Sequence, residues 1–119
     1  MVLVDTSVWV SHLRDGNAGL EKLLVNGEAA CHPFIVGELA CGNIRNRREI
    51  LTYLQSLPMT ILAEDEEVLK FIDENQLMGK GLGYIDIHLI ASAVLTDVLL
   101  WTLDKTLDKF TKNIGIHYR

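Results

Sequence analysis

Near its start the chain runs Val2-Leu3-Val4 straight into Asp5-Thr6-Ser7, and near its end Leu99-Leu100-Trp101-Thr102-Leu103 runs into Asp104. Two short apolar runs, each stopping at a carboxylate beside a hydroxyl, restrict the fold more than any other feature. Continuous apolar runs of this length read as strands buried on both faces, the habit of parallel sheets. An acid and a Ser or Thr after such a run are the start signal of a following helix. In open parallel α/β sheets, ligands bind outside the carboxyl ends of the strands. Asp5 and Asp104 therefore stand at a candidate site edge, although for Asp5 taken alone a plain capping role is the simpler reading.

The segments between these runs alternate in the same manner. Val2 to Val4 is the first strand, followed by a helix from Thr6 or Ser7 through Leu13 that Asp15-Gly16-Asn17 breaks. Leu20, Leu23 and Leu24 mark a second helix ending near Asn26-Gly27, and Ala29 to His32 is a short second strand. Pro33 suits a helix first turn and opens Phe34 to Cys41, which Gly42-Asn43 stops. Asn46 opens a helix that Pro58 closes, and Met59 to Leu62 reads as a third strand. Acids from Glu64 to Glu67 begin the next helix, where the macrodipole favours them; it carries Val68, Leu69, Ile72 and Leu77. After a loop with Gly79, Gly81 and Gly83 comes the longest apolar helix, Tyr84 to Thr96. Val98 to Leu103 is a fourth strand, a short helix takes Leu107 and Phe110, and Ile114 to Tyr118 is a fifth strand at the edge. Strands alternating with helices imply right-handed crossovers and a sheet covered on both faces. The expectation is one domain spanning residues 1–119, an α/β/α three-layer sandwich with a mainly parallel four- or five-stranded sheet.

Composition narrows the function. Half the residues are hydrophobic (49%) and 23% are charged, as in a globular chain able to bury one sizeable core. A net charge of -5 argues against a generic basic nucleic-acid coat, but permits an enzyme that meets nucleic acid through bound cations. No apolar stretch reaches the roughly 20 residues a membrane span needs, and no secretory leader pattern is evident, so a cytoplasmic location is expected. Cys31 and Cys41 fit a reducing compartment as buried small hydrophobes. Cys31-His32 lacks a second Cys/His pair at zinc-ligand spacing.

Two further acids lie in apolar settings. Glu38 is the only charge between Phe34 and Cys41, and a charged group there is costly unless paired or metal-bound; otherwise it turns to solvent. Asp86 sits about 200° round its helix from the polar line of Tyr84, His88, Ser92 and Thr96. Its neighbours one and two turns on are Leu89, Ile90 and Ala93, although compensation of the helix dipole accounts for it equally well. Two acids ending strands and two on helices can frame one sheet edge. Clustered carboxylates raise each other's pKa unless cations neutralise them, and hard oxygen donors suit Mg²⁺ or Mn²⁺. One or two such ions can activate water and stabilise a leaving oxygen in phosphodiester cleavage.

The order and spacing of Asp5-Thr6-Ser7, Glu38, Asp86 and Thr102-Leu103-Asp104 resemble the PIN-domain nucleases, and more narrowly the VapC-type toxins of bacterial toxin–antitoxin pairs. His32-Pro33-Phe34 leading to Gly37-Glu38-Leu39, and Gly79 to Asp86 leading to Leu89-Ile90-Ala91-Ser92, agree with that resemblance over essentially the whole chain. It implies a PIN-like sandwich, Mg²⁺- or Mn²⁺-dependent endoribonuclease activity through metal-activated water, an RNA substrate, a homodimer and a cognate antitoxin. Its acidic positions fall on Asp5, Glu38, Asp86 and Asp104, with Asp5, Asp86 and Asp104 as metal ligands and Thr6 and Thr102 as supporting hydroxyls. Asp108, one helical turn after Asp104, is a further candidate, more simply a partner of Lys105, Lys109 or Lys112.

Other readings are weaker. The Gly79, Gly81 and Gly83 spacing is no dinucleotide fingerprint, and no nucleophile-elbow pattern joins Ser7 to a histidine. Arg45, Arg47 and Arg48 form the densest basic cluster and can hold RNA phosphates or simply face solvent. Trp9 and Trp101 suit core packing better than base stacking. Two other classes remain: a phosphatase-like hydrolase, which normally has a second Asp two residues after its nucleophile where this chain has Ser7, and a Mg²⁺-binding phospho-acceptor switch domain, for which Glu64-Asp65 is a poor match.

Overall fold

Three short parallel strands, β1 (Val2–Val4), β2 (Ala29–Ala30) and β3 (Leu99–Trp101), form the sheet in the order β2-β1-β3 in a computed structural model that describes all 119 residues. Val2 stands in register with both Ala29 and Leu99, and Val4 with Trp101. The helices are α1 (Thr6–Asp15), α2 (Ala18–Val25), α3 (Pro33–Ala40), α4 (Arg47–Ser56), α5 (Asp65–Asn75), α6 (Tyr84–Thr96) and α7 (Lys105–Asn113).

The strand order follows from the hydrophobic pattern. β1 has no polar residue and all three of its side chains are buried, so it takes the centre. From β1 the chain crosses through α1 and α2 to β2, then returns through α3 to α6 to the opposite side of β1. The direction of winding therefore reverses between β1 and β3. With right-handed crossovers, these two oppositely directed connections fall on opposite faces of the sheet. A crevice opens at the carboxyl ends of the two strands that flank such a reversal, and Asp5 and Asp104 lie there. The Asp5 N–H donates to the Trp101 carbonyl at 2.9 Å and brings the two strand ends together.

The main core gathers nineteen buried residues from the sheet and surrounding helices, Trp9 and Trp101 among them. Each fully buried large side chain contributes about 1.5–3 kcal/mol. A smaller cluster of Ala63, Val68, Leu77, Ile87 and Ala91 joins α5 to α6, with Phe110 of α7 against it. α6 is buried without a break from Ile87 to Ala93, which explains its nearly continuous apolar sequence.

Three sequence expectations need correction. The sheet has three strands, not four or five: the third and fifth survive only as single parallel bridges, Cys31 to Met59 and Leu100 to His117. Pro33 has no N–H to donate and starts α3, so only Cys31 remains to pair outward. Beyond Thr60 the Ile61 N–H turns to Thr96 Oγ1 at 2.9 Å and leaves the sheet. Cys41 is exposed, because it lies past the apolar face of α3 at its C-terminus. On α5, Leu69 is exposed, and Leu77 reaches the core from beyond the helix end, after Gln76 turns the chain through a left-handed conformation (φ 52°). On α6, His88 and Ser92 of the polar line are both buried.

Candidate active site

Asp5 is 7% exposed, yet its carboxylate does not cap α1. Its Oδ2 accepts two hydroxyl protons, from Ser7 Oγ at 2.7 Å and Thr102 Oγ1 at 2.8 Å. Each hydroxyl has one proton to give, and both are spent on Asp5. Their oxygens in turn accept backbone N–H groups: Ser7 Oγ from Leu103 at 3.0 Å, Thr102 Oγ1 from Asp104 at 3.0 Å. The two hydroxyls thus clasp the ends of β1 and β3 and set where Asp104 begins. Asp5 Oδ1 takes no hydrogen bond, and no Lys, Arg or His forms an ion pair with Asp5.

Asp104 does cap its helix, accepting the Leu107 N–H on Oδ1 at 2.8 Å, which leaves Oδ2 free. Asp86 stands in the first turn of α6 and reaches back to the Gly83 N–H through Oδ2 at 3.2 Å, which leaves Oδ1 free. Dipole compensation and site membership, alternatives in the sequence, coincide here. Burial pushes the Asp86 carboxyl above the usual carboxylate range; the Gly83 amide opposes this, and the charges of Asp5 and Asp104 push it further up. These three acids therefore share one electrostatic neighbourhood, although they come from β1, α6 and the end of β3.

Glu38 joins by another route. It is exposed on α3 and accepts the Thr6 hydroxyl on Oε1 at 2.9 Å, one residue along from Asp5. Thr6 thus serves Glu38, whereas Thr102 serves Asp5. Asp108 is paired with Lys112 at 3.0 Å, as a solvated helix neighbour would be. Arg47 donates to the Ala40 carbonyl through Nε at 3.3 Å and Nη2 at 2.9 Å, holding the end of α3; Arg45 and Arg48 are exposed and make no ion pair.

Two features escape sequence reasoning. Ser7 is a member of the clasp; its only signal is a hydroxyl two residues after a strand-ending acid. Ser7→Ala leaves the Leu103 N–H without its acceptor and Asp5 with one donor. The expected cost is ~1 kcal/mol of stability and roughly ten- to a hundredfold in turnover. Ser7→Thr restores both, and melting curves with cleavage rates on the three proteins check it. The second feature is His32, whose Nδ1 accepts the Phe34 N–H at 2.9 Å and whose Nε2–H faces Ser92 Oγ at 3.2 Å. It locks α3, which carries Glu38, to α6, which carries Asp86. Burial, with the nearby His88 adding to it, pushes His32 down to about 4, so it stays neutral in this role.

The donor set is hard oxygen throughout: one unbonded oxygen each on Asp5, Asp86 and Asp104, with hydroxyls behind. No three His, Cys, Asp or Glu side chains stand close enough to form a finished cage. Such a set fits Mg²⁺ or Mn²⁺, which keep several of their waters and take only one or two carboxylates. It does not fit zinc, which wants a closed nitrogen and sulfur shell.

A parallel sheet wound in two directions, with strand-end acids at its reversal and a third acid from the last long helix, is the arrangement of a nuclease-like α/β fold. The PIN domain family model matches residues 2–113, and the chain belongs to that family. Among characterised relatives, Ribonuclease VapC32 of Mycobacterium tuberculosis is 41% identical over 117 residues, covering 98% of this chain and 94% of the relative, in strains CDC 1551 / Oshkosh and ATCC 25618 / H37Rv alike. The crystal structure of PAE2754 from Pyrobaculum aerophilum shares the fold, with a TM-score of 0.62 over 93% of this chain and 79% of that one at 21% identity. Family membership sets aside the phosphatase-like and phospho-acceptor alternatives.

Proposed function

We propose that the chain is an endoribonuclease toxin of the VapC kind, dependent on Mg²⁺ or Mn²⁺ and built around Asp5, Glu38, Asp86 and Asp104. The observation that carries this reading is that Asp5 and Asp104 follow adjacent strands, with Asp86 within reach of their charges, and that no protein cation is paired to any of the three. Evolutionary likeness to Ribonuclease VapC32 supports the substrate class.

In this reading Asp5, Asp86 and Asp104 would hold the ion, directly or through the waters it keeps. When bound, the ion supplies Lewis-acid stabilisation of charge on the phosphate and lowers the pKa of water. The protein does the rest. Ser7 and Thr102 keep Asp5 in one orientation, and the Gly83 amide keeps Asp86 in another. Glu38, fixed through Oε1 by Thr6, presents Oε2 to take a proton as water oxygen attacks phosphorus and the bond to the leaving oxygen breaks. The same acidic edge needs neutralising when the enzyme is idle, the task of a cognate antitoxin with a basic side chain of its own. We propose a homodimer as the working unit. No helix is long and apolar enough to cross a membrane.

The test is cleavage of structured and single-stranded RNA by the purified protein in EDTA, Mg²⁺ and Mn²⁺, with p-nitrophenyl phosphate and acetyl phosphate alongside. Cleavage of RNA alone, restored by either ion after EDTA, is the expected result. Cleavage in EDTA equal to that in Mn²⁺, or turnover of the simple esters instead of RNA, overturns the reading.

A further inference from the structure

An acidic catalytic edge repels the strand it must cut, so positive charge has to lie within reach of the neighbouring phosphates. In the arginine cluster Arg47 is committed to the end of α3, which leaves Arg45 and Arg48. A different surface meets this need well. Beside the Gly79–Gly83 loop, α5 and α7 enclose a cleft of about 390 Å³ whose polar walls are Asn75, Lys80, Thr106, Lys109 and Asn113, with Phe110 as an apolar wall. It contains two lysines and no carboxylate, whereas the cleft beside His88 contains Glu64 and Asp65, and the one beside Lys70 contains Glu67 and Glu74.

Neither Lys80 nor Lys109 has an acid within 4.0 Å, although Lys70 is paired with Glu74 and Lys112 with Asp108. In a chain with 16 acids against 11 Lys and Arg, two unneutralised ammonium groups lining one cleft are a local reversal of sign. The cleft begins next to the acidic edge. Thr106 lies in the first turn of α7, two residues after Asp104. Gly81, at φ +79°, lies beside Thr106: a Cβ there would meet its Cγ2 in ordinary contact at 3.5 Å. Two residues later in the same loop, the Gly83 N–H holds Asp86.

We propose that this cleft is a nucleotide subsite flanking the cut: Lys80 and Lys109 hold a backbone phosphate next to the scissile one, and so set KM. This rests on the ribonuclease reading and deepens it. The side chains around the lysines suit one nucleotide. Phe110 presents an aromatic wall, the Asn113 amide is unbonded, and Asn75 uses only its Nδ2, on the Phe71 carbonyl, so its Oδ1 remains to meet a base edge. Single-stranded RNA is recognised by such pairings of aromatic and amide groups.

The experiment compares wild type, Lys80→Gln/Lys109→Gln, Lys80→Arg/Lys109→Arg and a control pair on other surfaces, Lys22→Gln/Lys70→Gln. Each is titrated with a fluorescein-labelled mixed-sequence 20-mer RNA in EDTA at several salt concentrations, and each is assayed for Mn²⁺-supported cleavage. Each phosphate contact on a single strand contributes roughly 0.7 to the slope of log K against log salt, and the Gln pair, which gives up one such contact, lowers it by about that amount. Binding at low salt weakens by on the order of tenfold, KM rises by a similar factor, and kcat stays. The Arg pair keeps the wild-type slope. A Gln pair with unchanged slope and KM, in a preparation whose wild type cleaves RNA, overturns the subsite alone. An equal loss in the control pair, or equal competition by a polyglutamate peptide of the same charge, reduces the cleft to a generic basic surface and overturns it too. A wild type that does not cleave RNA in Mn²⁺ overturns the ribonuclease reading beneath it.

Discussion

Asp5→Asn abolishes RNA cleavage to within the background of the assay, a loss on the order of a thousandfold or more for a residue central to hydrolytic chemistry, and does so without unfolding the protein. The amide oxygen of the substituted side chain still accepts the Ser7 and Thr102 protons, so the clasp between β1 and β3 survives. What disappears is the negative charge on a carboxylate that is 7% exposed and has no cationic partner. A buried charge held only by neutral donors is expensive. The metal-free variant therefore melts no lower than wild type. Cleavage assays in Mn²⁺ and thermal melts in EDTA read the two halves separately. Activity within tenfold of wild type removes Asp5 from the chemistry, and a melt several degrees lower makes it a structural residue instead.

Asp86→Asn separates site from scaffold by a different property, the pH dependence of stability. Burial and the charges of Asp5 and Asp104 raise the Asp86 pKa in the folded protein above its ordinary 3.8. The folded state then holds the Asp86 proton at pH values where the unfolded chain has released it. Stability from this group is full below pH 3.8 and is lost as pH rises through the folded pKa. At neutral pH the metal-free wild type carries the whole penalty. The amide that replaces the carboxylate keeps the Gly83 N–H bond and removes the charge, so the variant melts a few degrees higher in EDTA. The gap between the two proteins closes as pH falls toward 3.8. Added Mn²⁺ stabilises the wild type by mass action and the variant clearly less. Melts from pH 3.5 to 8, with EDTA and with Mn²⁺, check all three statements. A variant that melts lower at neutral pH and gains as much from Mn²⁺ as wild type makes Asp86 a helix cap only.

Much of this was legible in the residues because it depends on local pattern. Val2 to Val4 is apolar on both faces and has to be a central strand. Pro33 starts a helix, Gly42 follows its end, and the unbroken apolar stretch of α6 has to be buried. The strand-ending positions of Asp5 and Asp104 follow from the same pattern, and with them the edge where chemistry belongs. The outer strands were not legible. Met59–Leu62 and Ile114–Tyr118 have strand-like composition, but whether such a segment pairs depends on what its backbone meets. Ile61 meets the Thr96 hydroxyl instead of a neighbouring strand.

By itself the sequence determined the fold class and the family and singled out four acids as candidates, since these are properties of residue type and order along the chain. Tertiary structure alone decided their roles relative to one another. Asp5 and Asp104 have the same local signal, an acid after an apolar run, yet Asp104 caps its helix and Asp5 does not. The difference is Thr102, 97 residues away, whose hydroxyl meets Asp5 only because β1 and β3 are neighbours. The same holds for Lys80 and Lys109, which no periodicity connects. They line one cleft because the glycine loop folds against α7. Charge and hydrogen bonding act over a few ångströms in space, and separation along the chain carries no measure of that distance.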